Sequence, residues 1–83
     1  MKITLKLFAS LDEYLPPAAK QNTVKLDISE GSTIAVVLRE IGLPRESVKL
    51  VFVDGVHQFL EDLDQRTLKA GETLAIWPPV AGG

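Results

Sequence analysis

The chain has 83 residues, enough for one small domain in which folding buries only about 60% of the unfolded chain's surface. Its hydrophobic content of 46% and charged content of 24% are typical of a globular protein. Its net charge is −2 and its acidic and basic residues are interleaved along the chain, which argues against a nucleic-acid partner. The absence of cysteine excludes disulfides, thiolate metal sites and a cysteine nucleophile. No bilayer-spanning segment or signal peptide is evident, so we expect a cytoplasmic protein without a membrane partner.

The first segment, residues 1–8, alternates polar and apolar side chains, which predicts a half-buried strand. Its buried side would carry Ile3, Leu5 and Leu7. Ser10 and Glu13 then match a capping box, which predicts a short helix after this strand. Pro16 and Pro17 would end that helix after about one and a half turns.

Alternation returns over residues 24–28 and predicts a second strand. Thr33 or Ser32 can cap the main helix, and Gly42 followed by Pro44 can end it. The apolar positions of this helix lie on one face: Ile34, Val37, Leu38 and Ile41.

The second half of the chain reads as a hairpin, a loop and a closing strand. The apolar run over residues 50–53 predicts a buried strand, and Asp54-Gly55 predicts a two-residue turn into a further strand from Val56. Residues 59–69 form a mixed loop, and residues 73–77 form the last strand. Three leucines would pin the loop to the core: Leu60, Leu63 and Leu68.

These elements predict an α+β domain with a mixed sheet of four to five strands packed on one main helix. The β-grasp, or ubiquitin-like, arrangement is the natural candidate, spanning residues 1–77 and followed by a flexible Gly-Gly tail over residues 78–83. In that arrangement the first and last strands would lie side by side and parallel in the middle of the sheet.

Strand parity predicts where two large aromatic residues lie. If the leucines and isoleucines of the first and last strands face the helix, Phe8 and Trp77 face away from it. An exposed pair there would be a docking surface with tryptophan as its anchor. Alternatively, the loop over residues 59–69 covers both rings. Phe59 and His57 could belong to either arrangement.

The remaining polar residues do not form a recognisable site. His57 has no nearby carboxylate or cysteine in sequence, so we interpret it as a surface strand residue. Glu61, Asp62 and Asp64 are interpreted as a solvated loop, and no metal site is expected. No phosphate-binding glycine-rich loop exists, since the only adjacent glycines are the terminal pair.

The end of the chain combines a stiff step with a slim tip. Pro78 and Pro79 fix their own backbone φ and favour extended geometry before them. Gly82 and Gly83 lack a Cβ, so this backbone is thin enough to thread a narrow active site. We therefore expect the useful chemistry to lie at the C-terminal carboxylate.

Several segments resemble signatures of the MoaD/ThiS family of ubiquitin-like sulfur carriers, and in particular the small subunit of molybdopterin synthase. The similarity covers nearly the whole length, and the tail after a closing strand is its specific part. The matching segments are Lys6-Leu7-Phe8-Ala9, Gly31-Ser32-Thr33, Val53-Asp54-Gly55, Leu68-Lys69-Ala70-Gly71-Glu72 and Pro78-Pro79-Val80-Ala81-Gly82-Gly83.

The resemblance implies that a ubiquitin-activating-type adenylyltransferase, using ATP and magnesium, adenylates Gly83, and that a sulfur donor then forms a thiocarboxylate. In the molybdopterin branch the tail enters the large subunit of molybdopterin synthase and gives up its sulfur. The protein would bind no cofactor and would not be catalytic by itself. Its partner-binding residues would be Gly82, Ala81, Val80, Pro79, Pro78, Trp77, Phe8 and Phe59.

The chemistry of the chain agrees with this reading, because a protein without cysteine can carry sulfur covalently only on a carbonyl carbon. Two other classes stay open: a ubiquitin-like modifier joined through Gly83 to lysines of target proteins, and a β-grasp binding or structural subunit whose ending is incidental. Among the carriers, those of the thiamin and tungsten-cofactor pathways also stay open.

Overall fold

The computed structural model describes residues 1–80, and Ala81, Gly82 and Gly83 lie outside the described residues. The strands are β1 (Lys2–Leu7), β2 (Thr23–Asp27), β3 (Leu50–Val53), β4 (Val56–Gln58) and β5 (Thr73–Trp77). One α-helix, α1 (Ile34–Glu40), is accompanied by three short 3₁₀ helices, Ala9–Tyr14, Arg45–Ser47 and Leu60–Asp62. Within residues 1–80 no helix has the length and apolar character needed to cross a membrane.

The five strands form one sheet in the order β2-β1-β5-β3-β4. The central strands β1 and β5 run parallel, with Thr4 beside Thr73 and Leu7 beside Ile76, while all other neighbours are antiparallel. Since β1 and β5 come from opposite ends of the chain, their pairing closes the fold. The predicted β-grasp arrangement, with the first and last strands parallel in the middle, is confirmed.

The core lies between one face of the sheet and α1. The inward side chains of the two central strands are at most 1% exposed: Ile3, Leu5, Leu7, Leu74 and Ile76. On α1 the matching residues are Ile34, Val37 and Leu38, none more than 2% exposed. Because apolar burial stabilises a fold by about 25 cal/mol per Å², these two aligned stripes supply its main driving force.

Both ends of α1 are formed by the residues that the sequence predicts. The hydroxyl oxygen of Thr33 accepts a hydrogen bond from the amide of Val36 at 3.2 Å. At the other end Gly42 adopts a φ of +78°, and the amide of Leu43 donates to the carbonyl of Leu38 at 2.9 Å. This six-to-one bond, together with a left-handed glycine, is the Schellman ending.

The predicted capping box is wrong. The first short helix is a 3₁₀ helix that already begins at Ala9, so Ser10 lies inside it, and the residue before it, Phe8, makes no side-chain cap. The physical reason is the sheet: the Phe8 amide donates to the carbonyl of Ile76 at 3.1 Å and extends the parallel ladder, after which Ala9 turns with a φ of +53°. Glu13 therefore has no N-terminal cap partner to reach.

The loop after β4 follows the prediction at two leucines and departs from it at a third. Leu63 and Leu68 are buried, at 0% and 3% exposure, and the carbonyl of Leu63 accepts the amide of Ala35 at 2.9 Å. Leu60 is 38% exposed, so its predicted role in the core is wrong. It follows the edge strand β4, and no strand within residues 1–80 lies beyond that edge to cover it.

The start of β5 is held by the β3–β4 hairpin. Asp54 and Gly55 form the predicted two-residue turn, with φ values of +49° and +82°. The Asp54 carboxylate accepts the amide of Thr73 at 2.8 Å, and the Asp54 amide donates to the carbonyl of Thr73 at 2.9 Å. These bonds fix where the last strand begins and therefore where it ends.

The turn before β5 is closed by a part-buried carboxylate. Glu72, whose side chain is 15% exposed, accepts hydrogen bonds from the Arg66 guanidinium at 3.0 Å and from the Lys69 amide at 2.6 Å. Burial raises the pKa of this carboxyl, but the bonds from Arg66 and Lys69 outweigh it and hold the pKa below the usual glutamate range.

Replacing Glu72 with glutamine should lower the free energy of unfolding near neutral pH by about 1 kcal/mol, because the charge that binds Arg66 is lost. Since the folded pKa is lowered, this contribution is present above the unfolded glutamate pKa of about 4.3 and is lost as the pH falls through the lower folded value. Denaturant unfolding of the wild type and of the Glu72→Gln variant, at neutral and at strongly acidic pH, measures the difference in their free energies of unfolding. Equal stability at neutral pH would contradict the prediction.

Candidate functional site

Five ring side chains form a continuous row on the sheet face opposite α1, which we call the aromatic ridge. Phe8 and Trp77 are stacked, with ring centroids 4.2 Å apart and planes 6° from parallel. Phe52 meets Trp77 edge-on at 5.3 Å and meets His57 at 5.6 Å. His57 in turn meets Phe59 edge-on at 5.1 Å. Edge-on and offset ring contacts of this kind are favourable by about 0.5 to 1.5 kcal/mol each.

The sheet register assembles this ridge. Leu7 and Ile76 are neighbours in the parallel pair and point into the core, so the next residues, Phe8 and Trp77, emerge together on the other face. Phe52 pairs with His57 across the β3–β4 hairpin and so shares that face with it. The predicted outward orientation of Phe8 and Trp77 therefore agrees with the structure.

The ridge is exposed at its β4 end and half-buried along the rest, including Phe52. Phe59 is 59% exposed, His57 is exposed, and the stacked pair is half-buried by its own ring contacts. The loop after β4 does not cover Phe8 and Trp77, because its carbonyls at positions 63 and 66 accept amides at the start of α1. From residue 63 onward that loop lies on the helix side of the sheet, and its first residue, Phe59, contacts His57 and not the stacked pair. The alternative in which the loop hides the aromatic pair is therefore wrong.

The chain leaves the sheet beside the stacked pair. The carbonyl of Trp77 accepts the amide of Lys49 at 2.9 Å, and the two following prolines have no amide hydrogen with which to continue the ladder. Val80 is 78% exposed. Pro78, Pro79 and Val80 thus form a root of the tail that emerges at one end of the aromatic ridge.

Two shallow grooves border this root. One is mainly apolar, and its lining residues are Ala9, Ser10, Trp77, Pro78, Pro79 and Val80. The other runs between the first two 3₁₀ helices and carries two carboxylates, and its walls are Ser10, Leu11, Glu13, Tyr14, Glu46 and Ser47. A partner that grips the root therefore meets apolar surface on one side and acidic surface on the other.

The structure brings Phe8, Trp77 and Phe59 into one surface with the tail root, and it adds a residue that the sequence reasoning did not single out. Phe52 lies inside a continuous apolar run, where no alternation marks an outward position. In the structure Val51 and Val53 point into the core, so Phe52, which lies between them on β3, faces the outer side of the sheet. The predicted reactive group on Gly83 lies outside the described residues.

Within residues 1–80 no group of three or more histidine, aspartate and glutamate side chains is placed to hold a metal ion. The three carboxylates of the loop after β4 are exposed, and Asp64 lies 3.8 Å from the guanidinium of Arg45.

The chain belongs to the Mut7-C ubiquitin family, whose sequence profile matches residues 1–81. With its β-grasp fold, this places it in the class of ubiquitin-like proteins, and the solved structures that share its fold include molybdopterin-converting-factor and archaeal modifier proteins. No curated protein matches the sequence significantly.

Three solved structures illustrate the range of relatives. The chain is 25% identical to small archaeal modifier protein 1 of Haloferax volcanii, covering 95% of this chain and 98% of that one, with a TM-score of 0.68. A putative molybdopterin converting factor subunit 1 from Pyrococcus furiosus is 20% identical, with coverages of 95% and 98% and a TM-score of 0.67. One chain in a complex of subunits 1 and 2 of molybdopterin-converting factor from Helicobacter pylori is 19% identical, with coverages of 100% of this chain and 100% of that chain and a TM-score of 0.59. The last two share the fold.

The two ends of the aromatic ridge should respond differently to truncation. Phe59→Ser should lower the free energy of unfolding by only about 0.5 kcal/mol, since the ring is mostly exposed and loses a single ring contact, the one with His57. Trp77→Ser should lower it by about 1 to 2 kcal/mol, because two ring contacts are lost. Denaturant unfolding followed by far-UV circular dichroism measures both. Equal losses for the two variants would mean that Phe59 is packed as firmly as the stacked pair.

Proposed function

We propose that this protein is a sulfur carrier, that the carboxylate of Gly83 is adenylated and converted to a thiocarboxylate, and that the protein donates this sulfur as the small subunit of molybdopterin synthase. The observation that carries the proposal is the position of the tail root, which leaves a ubiquitin-like fold directly beside the half-buried Phe8–Trp77 end of the aromatic ridge. A carrier needs such an arrangement, because its tip must reach into an enzyme while its body is held outside.

The proposed chemistry splits one difficult substitution into two easier steps. A free carboxylate is a poor acyl donor, so attack of its oxygen on ATP, with loss of pyrophosphate, first supplies AMP as a leaving group. A hydrosulfide-equivalent nucleophile then bonds to the carbonyl carbon and AMP departs, which leaves a thiocarboxylate without any change of redox state. ATP and magnesium belong to the activating enzyme in this scheme.

Two partners follow from the proposal: a ubiquitin-activating-type adenylyltransferase, and the large subunit of molybdopterin synthase. The Helicobacter pylori complex of subunits 1 and 2 supports the second partner, since one chain of that complex shares this fold. We expect Phe8, Trp77 and Phe59 to contact each partner in turn. Interfaces take most of their affinity from a few such aromatic anchors.

A second candidate function is supported by the similarity to small archaeal modifier protein 1. A protein modifier would use the same adenylation, but a lysine amine of a target protein would then replace the sulfur nucleophile at Gly83. Isopeptide-linked conjugates in extracts of the source cells, absent when Gly82 and Gly83 are deleted, would favour this branch. Restored molybdopterin synthesis with purified large subunit and thiocarboxylated carrier would favour the first.

Adding one residue after Gly83 should abolish activation. The extension moves the carboxylate by up to about 3.3 to 3.6 Å, several times the tolerance of a positioned reaction. ATP–pyrophosphate exchange with the purified adenylyltransferase measures this step. A control with one glycine inserted between the exposed residues Pro17 and Ala18 keeps the added mass but leaves the tail alone. Undiminished exchange by the extended protein would refute the proposal.

A further inference from the structure

The outer face of the sheet is divided into two chemically different halves. The aromatic ridge occupies β5, β3 and β4 and includes Phe8 at the end of β1, whereas the rest of the half formed by β1 and β2 is basic. Register and parity place three lysines and one carboxylate on that basic half: Lys2, Lys6, Lys25 and Asp27. Its remaining outward residues, Thr4 and Thr23, are neutral.

The net charge of the basic half is opposite in sign to that of the whole protein. Three lysines and one aspartate give it a charge of +2, while the chain carries −2, so the remaining side chains sum to −4. Lys2 and Asp27 neutralise each other, with 2.6 Å between Nζ and Oδ2. Among the ion pairs within residues 1–80, none involves Lys6 or Lys25. These two ammonium groups carry the net charge of the basic half.

The two lysines border the aromatic ridge. Lys6 lies opposite Ala75, and Ala75 lies opposite Phe52, so the three form one cross-strand row. Ala75 is small, so no bulky side chain stands between Lys6 and Phe52 in this row. At about 4.8 Å per strand, β1 and β3 are only about 10 Å apart. An interface of ordinary size, about 800 Å² per partner, spans both halves.

Protection of a sheet edge does not explain both residues. A lysine on the edge strand β2, such as Lys25, is a common device against unwanted strand pairing. Lys6 lies on β1, which is paired on both sides, so it has no edge to protect. Its charge beside the ridge therefore calls for a different explanation.

We propose that Lys6 and Lys25 form the electrostatic part of the docking surface for the adenylating enzyme, and that this enzyme presents carboxylates beside an apolar patch. The inference rests on the proposed function, but it concerns activation, the step that the carrier and the modifier share. An apolar ridge alone is non-directional. Positive charge on one side of it fixes the rotation of the carrier on the enzyme and so aims the tail root at the active site.

The test compares two variants with the same change in net charge. Lys6→Gln/Lys25→Gln removes two positive charges from the basic half. Arg39→Gln/Lys69→Gln removes two exposed positive charges that lie outside β1 and β2, one on α1 and one in the turn before β5. ATP–pyrophosphate exchange with the purified adenylyltransferase gives KM and kcat for each, and circular dichroism checks that both fold.

The proposal predicts that the Lys6/Lys25 variant raises KM about three- to tenfold at low salt with kcat unchanged, since border charges act on association. Raising the ionic strength from about 0.05 M to about 0.3 M should raise the wild-type KM, and the variant should lose most of this dependence. Equal KM values for the two variants would overturn the inference and leave the proposed function standing. A wild-type protein that supports no exchange at all would overturn both.

Discussion

The parallel pairing of the first and last strands is the constraint on which the rest of the structure depends. It joins the two ends of the chain in the centre of the sheet, with Leu7 beside Ile76, and both residues face α1. Because side chains alternate along a strand, burying this pair sends Phe8 and Trp77 to the opposite face, where they stack. A shift of one residue would exchange core and surface positions along β5.

The same pairing connects the fold to its proposed work. Strand β5 ends at Trp77 because the two prolines that follow cannot donate to the ladder, so the tail root leaves the sheet at the end of the aromatic ridge. In the proposed reaction the body of the protein supplies contacts and the tail supplies the acyl group. Affinity and chemistry are thus assigned to separate parts of a small domain, which has little room for a cleft of its own.

Local patterns predicted most elements of this protein. Alternation marked β1 and β5, and Thr33 and Gly42 marked the ends of α1, because caps and periodicity depend on near neighbours. The errors came from distant contacts. The ladder through Phe8 displaced the expected capping box, and the edge position of β4 left Leu60 exposed. Phe52 was missed as a surface residue because a continuous apolar run conceals which side faces outward.

The central claim is that the reactive atom is carried on Gly83. Mass spectrometry of the intact protein and of its C-terminal peptide tests it most directly, with protein produced together with its activating enzyme and a sulfur source. The account predicts a chain that ends at Gly83 with one carboxylate oxygen replaced by sulfur, only when ATP-dependent activation is intact. A chain that continues beyond Gly83, or a terminus unchanged by the active enzyme, would contradict it.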